Sequence, residues 1–213
     1  MRRLPCPEVD MKLSSDDIDI PATSVSVYDA IFHRRNVKAF TDEPVSRDAL
    51  ERLFAAAIWA PNHRLTEPTR FFVVPRESST RRRLGDIAWQ TTYDGVANPD
   101  PDRKRRAAED SRDRVVGAPA MVYVYSLPGD DEEMTRENYA SSCCAVQNMA
   151  LAAVAEGLRL GWSTGRLTRL PGLARLLGAD EDWTMVGVVF LGRAAASPTA
   201  QRTPHRDVVS WLE

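Results

Sequence analysis

The sequence has no apolar stretch long enough to cross a bilayer: its longest, such as MVGVVFLG at 185–192, fall well short of the roughly 20 residues a spanning helix needs. No apolar segment follows the early arginines of MRRLPCPEVDMKLSSDD, so neither a secretory nor a twin-arginine signal is read there, and a cytoplasmic protein is expected. Cysteine is scarce. With three in all, two of them adjacent at 143 and 144, there is neither a disulfide framework nor a metal-ligand spacing, and the adjacent pair is expected to be buried packing. His33, His63 and His205 are scattered without an HExxH pattern, which excludes a recognisable zinc motif. GxGxxG is missing too, so a nicotinamide cofactor would not be held by a Rossmann turn. Finally, neither sign of charge dominates. The 28 Lys and Arg against 30 Asp and Glu argue against a general grip on nucleic acid or on an acidic membrane.

What is present is an ordinary globular composition, 43% hydrophobic and 27% charged, over 213 residues. One domain over residues 24–213 is expected, preceded by a Pro-, Ser- and Asp-containing arm or tail over 1–23. Helical spacing is read in SVYDAIFHRR from Ser26, and in the segment capped by Ser46 that carries Leu50, Leu53, Phe54, Ala57 and Ile58 before Pro61 stops it. RFFVV at 70–74 and PAMVYVYS at 119–126 read as strands, with one or two charged helices between them. The basic clusters RRR at 81–83 and RKRR at 103–106 alternate with acids, the pattern of a solvated helix face. ENYASSCCAVQNMALAAVAEGL reads as a long helix ending at Gly157, apolar or small on most of its circumference. A second subunit is a natural cover for it. LGWST and TMVGVVFLG are two further strands, with a short helix at LARLLG between them, so a layered α/β or α+β domain is predicted.

Three stretches bear on chemistry. In FHRRNVKAF, residues 32–40, cations at a helix C-terminus complement the macrodipole, but Lys38 lies beyond the helix and is followed by the aromatic anchor Phe40. APNHRLTEPTRFFVV at 60–74 is a polar loop pinned by two prolines against a buried strand, a setting that often carries binding residues. GWSTG at 161–165 admits three readings: a serine-hydrolase nucleophile elbow, a strand end with a glycine turn, or backbone and hydroxyl contacts to a phosphate or flavin. The elbow would need an α-helix directly after it, and Pro171 disfavours the helical region for Leu170.

Taken together, RRNVKAF, APNHRLTEPTRF, AAVAEG, GWSTG, VGVVFLG and RTP occur in an order that resembles the flavin-dependent nitroreductase family, in particular its compact bacterial members with an APDH or APNH loop. The resemblance implies an α+β, nitroreductase-like fold: a central mixed but mainly antiparallel sheet flanked by helices, in a homodimer that holds FMN at its interface. It implies NAD(P)H as co-substrate and ping-pong hydride transfer to a small-molecule electron acceptor, a nitroaromatic, quinone or related electrophile. It places Arg34, Arg35 and Asn36 on the flavin, with arginine on the phosphate, and Trp59, His63, Trp162, Ser163 and Thr164 at flavin-contact positions. Arg202 corresponds to a phosphate-binding arginine. Lys38 falls where a fixed ammonium stabilises negative charge on the reduced ring, and no obligatory catalytic acid or base is implied. Residues 152–157 overlap a segment associated with nicotinamide binding. Glu67 and Thr69 stand where the family has Gln and Trp, Asn36 where it has Ser, and Trp59 where the nearest members have Arg. These departures imply an altered wall beside the flavin. Beside this reading stand a serine hydrolase and a flavin-binding protein without turnover.

Overall fold

The computed structural model describes residues 19–196 and 198–212. The arm expected over 1–23 therefore lies largely outside the described residues. The elements run α1 (Val27–His33), α2 (Arg47–Ile58), β1 (Thr69–Val73), α3 (Ser79–Gly95), α4 (Pro101–Gly117), β2 (Ala120–Ser126), α5 (Glu132–Ala155), β3 (Arg159–Ser163), α6 (Leu173–Leu177) and β4 (Thr184–Gly192).

Local chemistry sets the helix ends. Ser26 and Asp29 form a reciprocal capping box on α1, Ser46 caps α2 through Ala49 N, and Asp131 caps α5 through Met134 N. Helix α5 starts five residues earlier than its apolar pattern indicates, because Glu132 and Glu133 suit the positive end of the dipole. It ends as expected, with Gly157 in the left-handed region at φ 71°.

The four strands pair in the order β1-β2-β4-β3, every neighbour antiparallel. The parallel component expected of the sheet is confined to one bridge, Asn36 to Leu160. Both faces are covered, which is why β2 is buried at every position instead of alternating. Ala120, Val122 and Val124 meet the α2–α5 layer, while Met121, Tyr123 and Tyr125 meet the α3–α4 layer. In β4 the alternation changes phase: Val186 faces the α5 side, but so do Val189 and Leu191. The cause is a bulge, since Val124 pairs with Gly187 and Tyr125 with Met185, leaving Val186 unopposed.

Two expectations are corrected by burial. Arg81, read as part of a solvated cluster, is 0% exposed, because it falls on the same α3 stripe as Leu84, Ala88 and Thr92. Its Nη1 donates to Val115 O at 2.9 Å, but Nε and Nη2 have no partner among the described residues, and burial lowers its pKa to about 10. Of the adjacent cysteines only Cys143 is half-buried; Cys144 is exposed, on the outward stripe of α5 with Ala140 and Gln147. Among the described residues no helix is long and apolar enough to cross a membrane.

Candidate functional site

The chain leaving α1 runs alongside the edge strand β3. Val37 N donates to Leu160 O at 3.2 Å, and Asn36 Oδ1 accepts from Trp162 N at 2.6 Å. This approach needs glycine at 161, where a Cβ would collide with Val37 O. Trp162 in turn needs Gly187: its indole occupies the place of the missing Cβ, and its Nε1 donates to the bulged Val186 O at 3.1 Å. The first glycine of GWSTG thus serves strand packing. Ser163 ends β3 and is followed by Gly165 and a 3-10 turn over Arg166–Thr168, not by the α-helix a nucleophile elbow requires. Among the described residues no histidine is bonded to Ser163.

The arginines divide their tasks. Arg35 Nη1 donates to Phe32 O at 2.7 Å and to Arg34 O at 2.8 Å, closing the C-terminal end of α1 as the dipole reading anticipates. Arg34 is half-buried, and its pKa is lowered first by that burial and then by the charges of Arg202 and Arg35. Among the described residues no carboxylate lies within ion-pair distance of Arg34 or Arg202. Arg34 therefore carries a partly desolvated positive charge that no acid of the described residues neutralises. Arg34, Asn36, Val146, Gln147, Trp162 and Thr164 line a recess of about 320 Å³ beside them.

A second recess, of about 360 Å³, lies between the end of α2 and the loop into β1, and includes Trp59, Asn62, Glu67, Thr69, Arg70 and Ser141. Its loop is strained: Arg64, Leu65 and Glu67 have φ of 57°, 52° and 45°, each costing about 1–2 kcal/mol for a residue with a Cβ. A polar latch holds it. Thr66 Oγ1 donates to Asn138 Oδ1 at 2.6 Å, Thr66 N donates to Asn62 Oδ1 at 3.1 Å, and Asn138 Nδ2 donates to Leu127 O at 3.2 Å. Asn138 is 3% exposed. At the loop's far end Thr69 Oγ1 and Ser142 Oγ are 3.0 Å apart.

Of the residues singled out in sequence, Arg34, Asn36, Trp162 and Thr164 are therefore brought together in one recess, and the charge of Arg202 is felt at Arg34. Trp59, 72% exposed, belongs to the second recess, and His63 is exposed near it, 3.8 Å from Glu137. Lys38 is exposed and lines a separate recess with Phe40, Asp113 and Arg114. Sequence reasoning missed Gln147, whose signal was an amide pair with Asn148 in an otherwise small and apolar stretch of α5. It also missed the Thr66–Asn138 latch, which joins residues far apart in sequence.

The antiparallel sheet between two helical layers, with Arg34 and a glycine-dependent crossing at its edge, defines an α+β protein. The nitroreductase family pattern matches residues 31–193, and the chain belongs to that family. It is 28% identical over 163 residues, 76% of this chain and 85% of the relative, to the Escherichia coli K12 protein provisionally named NAD(P)H nitroreductase YdjA. It superimposes with a TM-score of 0.75, at 27% identity, on a nitroreductase-like family protein from Bacillus cereus, covering 91% of this chain and 100% of the other. A Desulfovibrio desulfuricans structure, provisionally assigned as a nitroreductase and in complex with FMN, gives 0.65 at 26% identity, covering 88% and 96%.

Proposed function

We propose that the protein is an FMN-dependent oxidoreductase that takes electrons from NAD(P)H and delivers them to small electrophilic acceptors such as nitroaromatics or quinones. The observation that carries this reading is the half-buried Arg34 guanidinium, which has no carboxylate of the described residues within ion-pair distance and lines a recess with Asn36, Gln147, Trp162 and Thr164. A phosphate monoester neutralises that charge and accepts charge-assisted hydrogen bonds from the guanidinium. Asn36 and Val37 hold the Arg34 segment against β3, so that the segment is fixed before an anion arrives. The lining of Trp162, Thr164 and Gln147 gives the recess an aromatic wall and polar groups for a conjugated ring system.

The protein is read as a homodimer. Tyr28 and Phe32 stack on the outer side of α1 and are 72% and 65% exposed, an apolar surface that a second copy would cover. One chain supplies the Arg34 recess and its partner the Trp59 and loop 61–68 wall, which accounts for the two groups of predicted residues. When bound, FMN supplies the two-electron relay between the nicotinamide and the acceptor. The protein's residues bind, orient and exclude water. Lys38 keeps a ring-tuning role only by resemblance, and Lys38→Ala with an unchanged flavin midpoint potential would remove it.

The test is cofactor analysis of the purified protein followed by NAD(P)H oxidation with and without a nitroaromatic. FMN retention with acceptor-dependent oxidation is expected. Retention without oxidation would overturn the oxidoreductase reading in favour of a flavin-binding protein that does not turn over, and a protein that retains no FMN would overturn the flavin reading itself.

A further inference from the structure

We propose that Gly187 is a positioning residue for the cofactor recess and acts on it through Trp162, an inference that rests on the flavin-dependent reading above. Glycine inside a strand weakens the strand, and it marks a bulge or a place where another group comes close. Both hold here. Strand β4 carries its bulge at Val186, and a Cβ on Gly187 would overlap Trp162 Nε1 and lie 2.6 Å from Cδ1. The indole therefore lies against the backbone of residue 187, in a place that only glycine leaves open.

Trp162 is fixed at both of its polar hydrogens. Its backbone N–H donates to Asn36 Oδ1 at 2.6 Å, and its indole N–H donates to Val186 O at 3.1 Å. Neither is left for a ligand, so what Trp162 offers the recess is ring surface. Leu160 and Trp162 alternate onto one face of β3, packed toward α5, and both line the recess of about 320 Å³ with Val146 and Ala150 of that helix. Gly187 itself is not among the lining residues, so its effect on a ligand there passes through the indole. A methyl at 187 displaces the ring and not the strand, because the strand is held by pairing of Gly187 with Val124 and of Val188 with Ser163. The indole then loses its bond to Val186 O, and the wall that it forms changes its angle to the recess.

The experiment titrates FMN into the flavin-free wild type, Gly187→Ala, Trp162→Val and the double variant, and records the absorption maximum of the flavin at saturation. Valine suits a strand and lacks both indole atoms that a Cβ at 187 would meet. Gly187→Ala is expected to bind FMN about 5- to 20-fold more weakly than the wild type, with a shifted maximum. In the Trp162→Val background the same substitution is expected to change affinity by less than about twofold and to leave the maximum in place. Unchanged affinity in Gly187→Ala, or an equal loss in both backgrounds, overturns the inference, while FMN binding by the wild type leaves the flavin reading standing. Should Gly187→Ala not fold, a folded double variant that binds FMN like Trp162→Val upholds the role, and a double variant that also fails to fold rejects it. A wild type that binds no FMN overturns the flavin reading and this inference with it.

Discussion

Asn36 Oδ1 accepts a 2.6 Å hydrogen bond from the backbone N–H of Trp162, 126 residues further along the chain. Through this bond the segment that carries Arg34 is tied to the edge strand lining the same recess, so Asn36 links Arg34 to the sheet. Asn36→Ala removes the Trp162 N–H's partner at an exposed position and is expected to cost about 0.5–1.5 kcal/mol of stability, with weaker cofactor retention. Asn36→Ser should recover part of both. Denaturant unfolding and flavin content measure them, and a variant that unfolds like the wild type would show that the tie does not matter.

Gly161→Ala places a methyl against Val37 O, and no flexible side chain is available to give way. Segment 36–38 must then leave β3, breaking the Val37–Leu160 and Asn36–Trp162 bonds together. The expected destabilisation exceeds about 2 kcal/mol, with loss of cofactor binding, as followed by thermal unfolding with and without FMN.

The architecture was largely legible in the sequence because it rests on local signals. Ser26, Ser46 and Gly157 mark helix ends by short-range hydrogen bonding and backbone freedom, and β2 and β4 announce themselves by apolar runs rich in valine, β1 and β3 by shorter stretches with aromatic residues. The site was legible only where one segment carries it, as in RRNVKAF. Asn138 gave no signal, since its partners Thr66 and Leu127 become neighbours only after α5 docks on the sheet. Arg81 misled because a run of like charges hides which member falls on the buried stripe of its helix.

Asn138→Leu keeps the volume of the side chain and removes both halves of the latch. Thr66 keeps Asn62 but loses its tie to α5, the Leu127 carbonyl keeps only the 3.4 Å bond from Ser126 Oγ, and the left-handed residues of loop 61–68 are freed to relax. A cost of about 1–3 kcal/mol is expected, with faster amide hydrogen exchange confined to that loop and to the residues after Ser126. Exchange that rises uniformly across the sheet would contradict a local latch.

Arg81→Met replaces a buried, partly unpaired cation with an apolar chain of similar reach. A gain of about 1–3 kcal/mol is expected, seen as a higher unfolding midpoint. The sign follows from the lowered pKa of about 10: the folded state disfavours the charged form, so the penalty is present throughout neutral pH and lifts only as pH rises through that value. The gap between variant and wild type should accordingly stay constant from about pH 6 to 9. A loss of stability on substitution would mean that the guanidinium is fully solvated or paired.

The assignment of Arg34 to the flavin phosphate is tested most directly by FMN titration of the wild type and of Arg34→Ala, with unfolding of both followed in the absence of flavin. Arg34→Ala should bind FMN about 10- to 100-fold more weakly, yet be no less stable when flavin-free, because a repulsive neighbour has been removed. Unchanged FMN affinity in Arg34→Ala would contradict an anion clamp at this seam.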